Sequence, residues 1–187
     1  FHPQRLLNAY ENGIFPWYID EYNYIHWFSP NKRMVLKPEE MKVSKSLKKS
    51  ILNKGFVIKS NENFEAVMRN CSNIKRKHED STWISEEFIQ AYTDLHHLDI
   101  AFSIECYLDE ELVGGLYGLL IGDVFCGESM FAKVTDASKV AFYHLCQQAE
   151  KNGIKLIDCQ VYNDHLASLG AYEITREDYF QILKESF

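Results

Sequence analysis

Three polar side chains stand where an apolar sheet is expected. In KLIDCQV, Leu156, Ile157 and Val161 read as a buried strand, yet Asp158 and Gln160 interrupt it. Strand side chains alternate between faces, so this pair points the same way, two residues apart. In FCGESMF, Glu128 sits beside a glycine among apolar neighbours. Alone it reads equally well as a structurally paired carboxylate. A buried carboxylate or amide is costly unless partners satisfy it. Three such exceptions in one sheet point to a site.

Other reactive residue types offer less. His96 and His97 are adjacent and face different ways on a helix, while His26, His144 and His165 lack ligand-spaced partners. No metal is therefore expected. The five cysteines, Cys71, Cys106, Cys126, Cys146 and Cys159, form no C-x-x-C pair. They read as reduced thiols packed as small apolar residues, in a cytoplasmic protein. A nucleophile reading would rest on Cys126 or Cys159, and Cys159 alternates away from Asp158 and Gln160. The glycines of VGGLYG lie inside an apolar strand with no Lys-Ser/Thr after them, so a bulge or a close backbone approach is preferred to a phosphate loop. Lys42, Lys45, Lys48, Lys49 and Lys54 succeed one another without an intervening acid. Spacing of i, i+3, i+7 puts Lys42, Lys45 and Lys49 on one helix face. Phosphate contact is the functional reading and a solvated surface the alternative.

The elements that must position these groups can be read from periodicity and caps. HPQRLLNAYENG starts as an amphipathic helix, and YIDEYNYIHWFSPNKR reads as aromatic loop, with a boundary near Asn31. The piece before it is too short for its own core and should pack its aromatics on the remainder of the chain. RMVLKP and FVIKSN read as strands, EEMKVSKSLKKSILNKG, ENFEAVMRNCSNI and SEEFIQAYTDLHHLD as helices, and KRKHED as a charged loop. Residues 101–131 read as three strands joined by turns at Asp109-Glu110 and Gly122-Asp123. A helix capped by Asp136, the strand carrying Asp158, a short helix with a turn, and a final helix capped by Thr175 complete the chain. A meander, a crossover helix and a further strand make a mixed sheet flanked by helices, an α+β (α/β-like) domain.

Composition agrees. With 187 residues, 46% hydrophobic and 25% charged, the chain can bury a real core. A net charge of −7 gives no global basic signal for nucleic acid, which leaves the lysine cluster as a local one. There is no apolar run long enough to cross a membrane.

The motifs GIFPW, WFSP, STWI, LVGGLYG, FCGESMF, ASK and LIDCQVYNDHLASLGA, from Pro3 to the final helix, resemble the leucyl/phenylalanyl-tRNA–protein transferase family. The resemblance implies a GNAT-type acyltransferase domain at 32–187, preceded by a small and partial N-terminal domain at 1–31. It implies transfer of Leu or Phe, and Met less well, from aminoacyl-tRNA to the α-amino group of proteins beginning with Arg or Lys. That reaction marks the acceptor for N-end rule degradation. No acetyl-CoA or other cofactor is implied, and no Q/R-x-x-G-x-G/A loop precedes a helix here. A monomer is expected. The catalytic pair falls on Asp158 and Gln160. The side-chain pocket falls on Leu116, Phe125 and Ile157, with Trp17 and Trp83 near the tRNA 3′ adenosine. Glu128 and Asn163 match substrate-binding positions, and Lys45, Lys48 and Lys49 match the helix that meets the acceptor stem.

An amide is too weakly basic to take a proton unaided near neutral pH, so Gln160 is expected to position the amine through its carbonyl, with Asp158 accepting from the Gln160 NH₂. Glu128 is the candidate to meet the cationic acceptor N-terminus or the donor's α-amino group. Leu116 stands where relatives carry Met, and KRKHED and YIDEYNY depart from the family pattern. A CoA-dependent N-acetyltransferase, an idle tRNA-binding module and a plain globular domain with structural strand polars are the rival readings.

Overall fold

The structure is a computed structural model that describes residues 2–22, 24–73 and 85–187. The elements run α1 (Pro3–Glu11), β1 (Phe15–Ile19), β2 (Ile25–Phe28), β3 (Lys32–Leu36), α2 (Lys45–Asn53), β4 (Val57–Ser60), α3 (Phe64–Ser72) and α4 (Glu86–His97). Then come β5 (Ala101–Leu108), β6 (Glu111–Ile121), β7 (Val124–Ala132), α5 (Ala137–Lys151), β8 (Leu156–Gln160), α6 (Asp164–Ser168), β9 (Tyr172–Thr175) and α7 (Arg176–Lys184). β1 and β2 form a hairpin of their own, and the other strands form one sheet in the order β4-β5-β6-β7-β8-β3-β9. All neighbours are antiparallel except β7 and β8, which α5 connects as a parallel pair. This meander, crossover and parallel strand make the mixed, helix-flanked α+β sheet expected from the sequence.

Alternation along the strands divides the core in two. Val35, Tyr117, Leu119, Val124, Cys126 and Leu156 face α1, α3, α4 and α7. Met34, Leu36, Leu116, Phe125 and Ile157 face α2 and α5. Leu6, Tyr10 and Phe15 belong to the first cluster, so the N-terminal residues pack on the main sheet and its helices. The expected cap forms at Thr175, which accepts from the Asp178 N–H, and Ser85 caps α4 by accepting from the Phe88 N–H. Asp136 precedes α5 but makes no capping bond; its carboxylate accepts from Ser50 Oγ at 2.7 Å instead.

Four sequence expectations change. The aromatic stretch after Trp17 is not all loop, because Phe15–Ile19 and Ile25–Phe28 pair as a hairpin. The turn after α6 holds a strand, β9, on the free edge of β3. The helix bearing the lysines begins only at Lys45, where Ser44 Oγ caps the Leu47 N–H. Lys42 therefore lies outside it and cannot share a helix face with Lys45 and Lys49. The VGGLYG glycines do serve close approach: a side chain at Gly114 would meet Ala137 of α5, and one at Gly118 would meet the Cys126 carbonyl and the Phe125 ring beside a bulge. KRKHED and Trp83 lie outside the described residues.

Candidate active site

Asp158 is sealed from solvent, and its carboxylate is fully engaged. Arg33 donates from Nε to Oδ1 at 2.8 Å and from Nη2 to Oδ2 at 2.6 Å. The Tyr179 hydroxyl donates to Oδ2 at 3.0 Å, and the Gln160 backbone N–H donates to Oδ1 at 2.8 Å. Arg33 is 1% exposed, and its guanidinium lies 4.5 Å from the Phe15 ring centroid and 4.4 Å from that of Tyr179. Burial alone would pull the Arg33 pKa down, but the charge and hydrogen bonds of Asp158 raise it on balance. A planar fork against a carboxylate, with aromatic faces on the guanidinium, is an arrangement lysine cannot reproduce.

The expected bond from the Gln160 amide to Asp158 is absent. Gln160 Nε2 instead donates to Glu128 Oε1 at 2.6 Å, so Glu128 orients the amide. The physical reason is a break in alternation. β8 pairs with β3 through Leu36–Ile157 and Val35–Asp158, and then slips to Met34–Gln160. Cys159 is the extra residue of that bulge, and Gln160 adopts φ 65°. Bulges re-aim side chains. Here the bulge places the backbone of Gln160 on Asp158 and its side chain on β7. With the amide nitrogen on Glu128, the Gln160 Oε1 remains as the amide's acceptor. Cys159 packs on the α5 side, as expected.

Glu128 is partly accessible and also accepts from the Tyr92 hydroxyl, at 3.3 Å to Oε2. Tyr92 shares a hydrogen bond with the Tyr10 hydroxyl. Burial pushes the Glu128 carboxyl up to about 8, helped by the Asp158 charge and opposed by the tyrosine hydrogen bonds and Arg33. A carboxyl that titrates there holds its proton more tightly folded than unfolded. Its contribution to stability is thus complete below the ordinary carboxylate range and is lost as the pH rises through about 8. Glu128→Gln should flatten the fall in melting temperature between those limits. Parallel curves for the two proteins would contradict the assignment.

β7 and β8 stop pairing after Cys126–Asp158, and a cavity of about 90 Å³ opens where the ladder ends. Leu116, Phe125 and Ile157 line it together with Met130, Phe142, Leu145 and Leu166, and Glu128 and Gln160 border it. It is far smaller than the roughly 300–1,000 Å³ of drug-sized sites and of the scale of one apolar side chain. Ile157 reaches it because the cavity's apolar wall lies on the α5 side of the sheet, the face opposite the Asp158 carboxylate. A larger recess of about 410 Å³ shares Phe125 and Leu145 with it, but its Gln148–Ser60 and Asn61–Ser103 groups already bond one another.

The remaining candidates stand apart. Trp17 is 43% exposed on β1, against Phe15 and Phe28, and does not line the cavity. Asn163 caps α6, accepting from the His165 and Leu166 N–H groups at 2.8 and 3.2 Å, and so holds Leu166 to the cavity from outside. Lys45, Lys48 and Lys49 are exposed on α2, while Lys54 reaches Asp136 at 3.9 Å. Sequence reading does not single out Arg33, Tyr10, Tyr92 or Tyr179. Arg33 alone carries a signal, a charge in the apolar strand RMVL.

The family described as leucyl/phenylalanyl-tRNA protein transferase matches residues 35–184, and that family's N-terminal domain matches residues 1–31. The chain belongs to this family. A leucyl/phenylalanyl-tRNA–protein transferase from Flavobacterium johnsoniae is 52% identical over 97% of this chain and 85% of its own length. One from Dechloromonas aromatica is 53% identical over 94% and 74%. The family is one of aminoacyltransferases, and the chain is an enzyme of that class. Among solved structures FemX shares the fold, with a TM-score of 0.59 and 10% identity over 95% of this chain and 70% of its own. A Staphylococcus epidermidis protein of unknown function aligns at 0.52 with 11% identity, over 77% and 57%. No helix among the described residues is long and apolar enough to cross a membrane.

Proposed function

We propose that this chain moves Leu or Phe, and Met less well, from aminoacyl-tRNA to the α-amino group of proteins beginning with Arg or Lys, in the cytoplasm and as a monomer, for N-end rule degradation. The observation that carries this reading is one apolar cavity of side-chain size bordered by an oriented amide and a carboxyl. The donor side chain would enter among Leu116, Phe125 and Ile157. One methylene in such a pocket is worth only about 1–3 kcal/mol, so leakage to Met is expected.

The reaction is aminolysis of an ester. The amine nitrogen attacks the ester carbonyl, the bond to the ribose oxygen breaks, and that oxygen ends protonated. The ester is already activated, so alignment of the amine is the main task. Gln160 Oε1 accepts a hydrogen bond from the amine, and Glu128 holds the amide that presents it. A cationic N-terminus beside the partly accessible Glu128 carboxyl would favour its ionised form. Asp158 acts through Gln160. Trp17 and Trp83 are assigned to the 3′ adenosine, Asn163 to the donor end through α6, and Lys45, Lys48 and Lys49 to acceptor-stem phosphates. The division at residue 31 belongs to this reading too.

Labelled Leu or Phe on its tRNA should pass to an Arg-initiated peptide, and label from acetyl-CoA should not. Reversing the three lysine charges should raise KM for charged tRNA and flatten its dependence on salt. Acetyl transfer without aminoacyl transfer would favour the N-acetyltransferase reading, and an unchanged salt slope would remove the lysines from the interface.

A further inference from the structure

We propose that Arg33 and Tyr179 are positioning residues that hold Gln160 in its left-handed backbone conformation through the Asp158 carboxylate. The proposal rests on the transfer reaction above for its kinetic part only.

Gln160 has φ 65°, a region that strains a residue with a Cβ and persists only where surroundings impose it. Its backbone N–H is fixed by Asp158 Oδ1, two residues earlier. A carboxylate free to rotate would not fix that angle. This one cannot rotate, because Arg33 grips both oxygens and Tyr179 adds a third donor. Arg33 is anchored in turn: Nη1 donates to the Gly13 carbonyl at 3.1 Å, and the guanidinium lies between the Phe15 and Tyr179 rings. The clamp thus joins the turn after α1, strand β3 and helix α7 behind one residue of β8.

The far side of Gln160 explains the precision. Its Nε2 must meet Glu128 across the gap between β7 and β8, where the strands no longer pair. A change in the Gln160 backbone angle would swing the amide away from Glu128 and misplace Oε1 at the cavity mouth. Displacements on the order of 1 Å are enough to cost about 10²-fold in rate. Arg33 does not line the cavity and the Asp158 carboxylate is fully engaged by its own partners, so loss of the clamp should reduce turnover and leave donor binding intact.

Tyr179→Phe removes one hydroxyl and leaves the ring over Arg33, so the chain should fold. Its kcat should fall about three- to tenfold with KM for charged tRNA within about twofold. Arg33→Lys, which keeps the charge but not the fork, should lose more than about tenfold in kcat. With glutamine-selective ¹⁵N labelling, the Gln160 backbone amide, identified by its loss in Gln160→Ala, should shift in Tyr179→Phe. In a Gln160→Ala background, Tyr179→Phe should lower the residual rate no further. An unmoved Gln160 resonance, an unmoved kcat, or an equal drop in both backgrounds each overturns the proposal. The resonance is read without any substrate. If wild-type protein transfers no amino acid, the functional reading fails while the clamp is still decided.

Discussion

Gln160→Ala is expected to lower kcat for aminoacyl transfer by about two orders of magnitude, with KM for charged tRNA changed by less than about threefold. The size reflects the group that is removed. On the proposed reading Gln160 supplies one preorganised acceptor to the attacking amine, and a single such group in a catalytic site is typically worth about 10²–10³ in rate. The activated ester sets the residual rate, so some transfer should survive. On the proposed reading the donor side chain enters among Leu116, Phe125 and Ile157, which line the cavity without Gln160's help, so donor affinity should hold. Gln160 is half-buried and its backbone bond to Asp158 does not involve its side chain, so the protein should stay folded. Gln160→Glu tests the orientation separately. It would set a carboxyl at 2.6 Å from Glu128, where both cannot ionise together, and activity should fall further as the pH rises. Transfer at the wild-type rate by Gln160→Ala would end the assignment.

These outcomes depend on a geometry that is half legible in the sequence. Asp158, Gln160 and Glu128 declare themselves because each is polar in an apolar strand, and burial makes such residues informative. Arg33 is equally anomalous in RMVL, but the sequence shows it only as the first residue of a strand, not as the counter-charge of another. Partnerships between distant strands arise from topology, and spacing does not encode them. The amide's partner differs from the expected one because strict alternation holds only in an unbroken strand. Cys159 is one residue too many in β8, and one inserted residue redirects everything after it. The aromatic hairpin is hidden because Pro16 and a run of exposed and half-exposed aromatics mask a period of two. β9, four residues between Gly170 and α7, is too short for any pattern and exists because β3 offers it an edge. The cavity residues Phe142, Leu145 and Leu166 look like ordinary helix core. Only the end of the β7–β8 ladder turns their faces into a pocket.

Asp158→Ala is expected to strike stability and turnover together, for one electrostatic reason. Arg33 is 1% exposed and cannot lose its proton, so deleting Asp158 leaves a guanidinium buried without its counter-charge. Breaking a buried pair from one side costs about 3–5 kcal/mol, which in a chain of this size lowers the melting temperature by about 6–20 °C. Asp158→Asn should fall between this variant and wild type in stability. It keeps an oxygen for the Gln160 N–H, but turns an NH₂ toward the Arg33 Nη2, where donor would meet donor. The double change Arg33→Met with Asp158→Leu separates the two roles. Replacing a whole buried pair with apolar groups is often neutral for stability, so much of the melting temperature should return. Turnover should not return, because the Gln160 N–H has lost its acceptor and the amide its fixed approach to Glu128. Recovery of both properties would mean that the pair serves packing alone. Recovery of stability without turnover is the result expected if the same carboxylate both neutralises Arg33 and sets the angle at which Gln160 meets the amine.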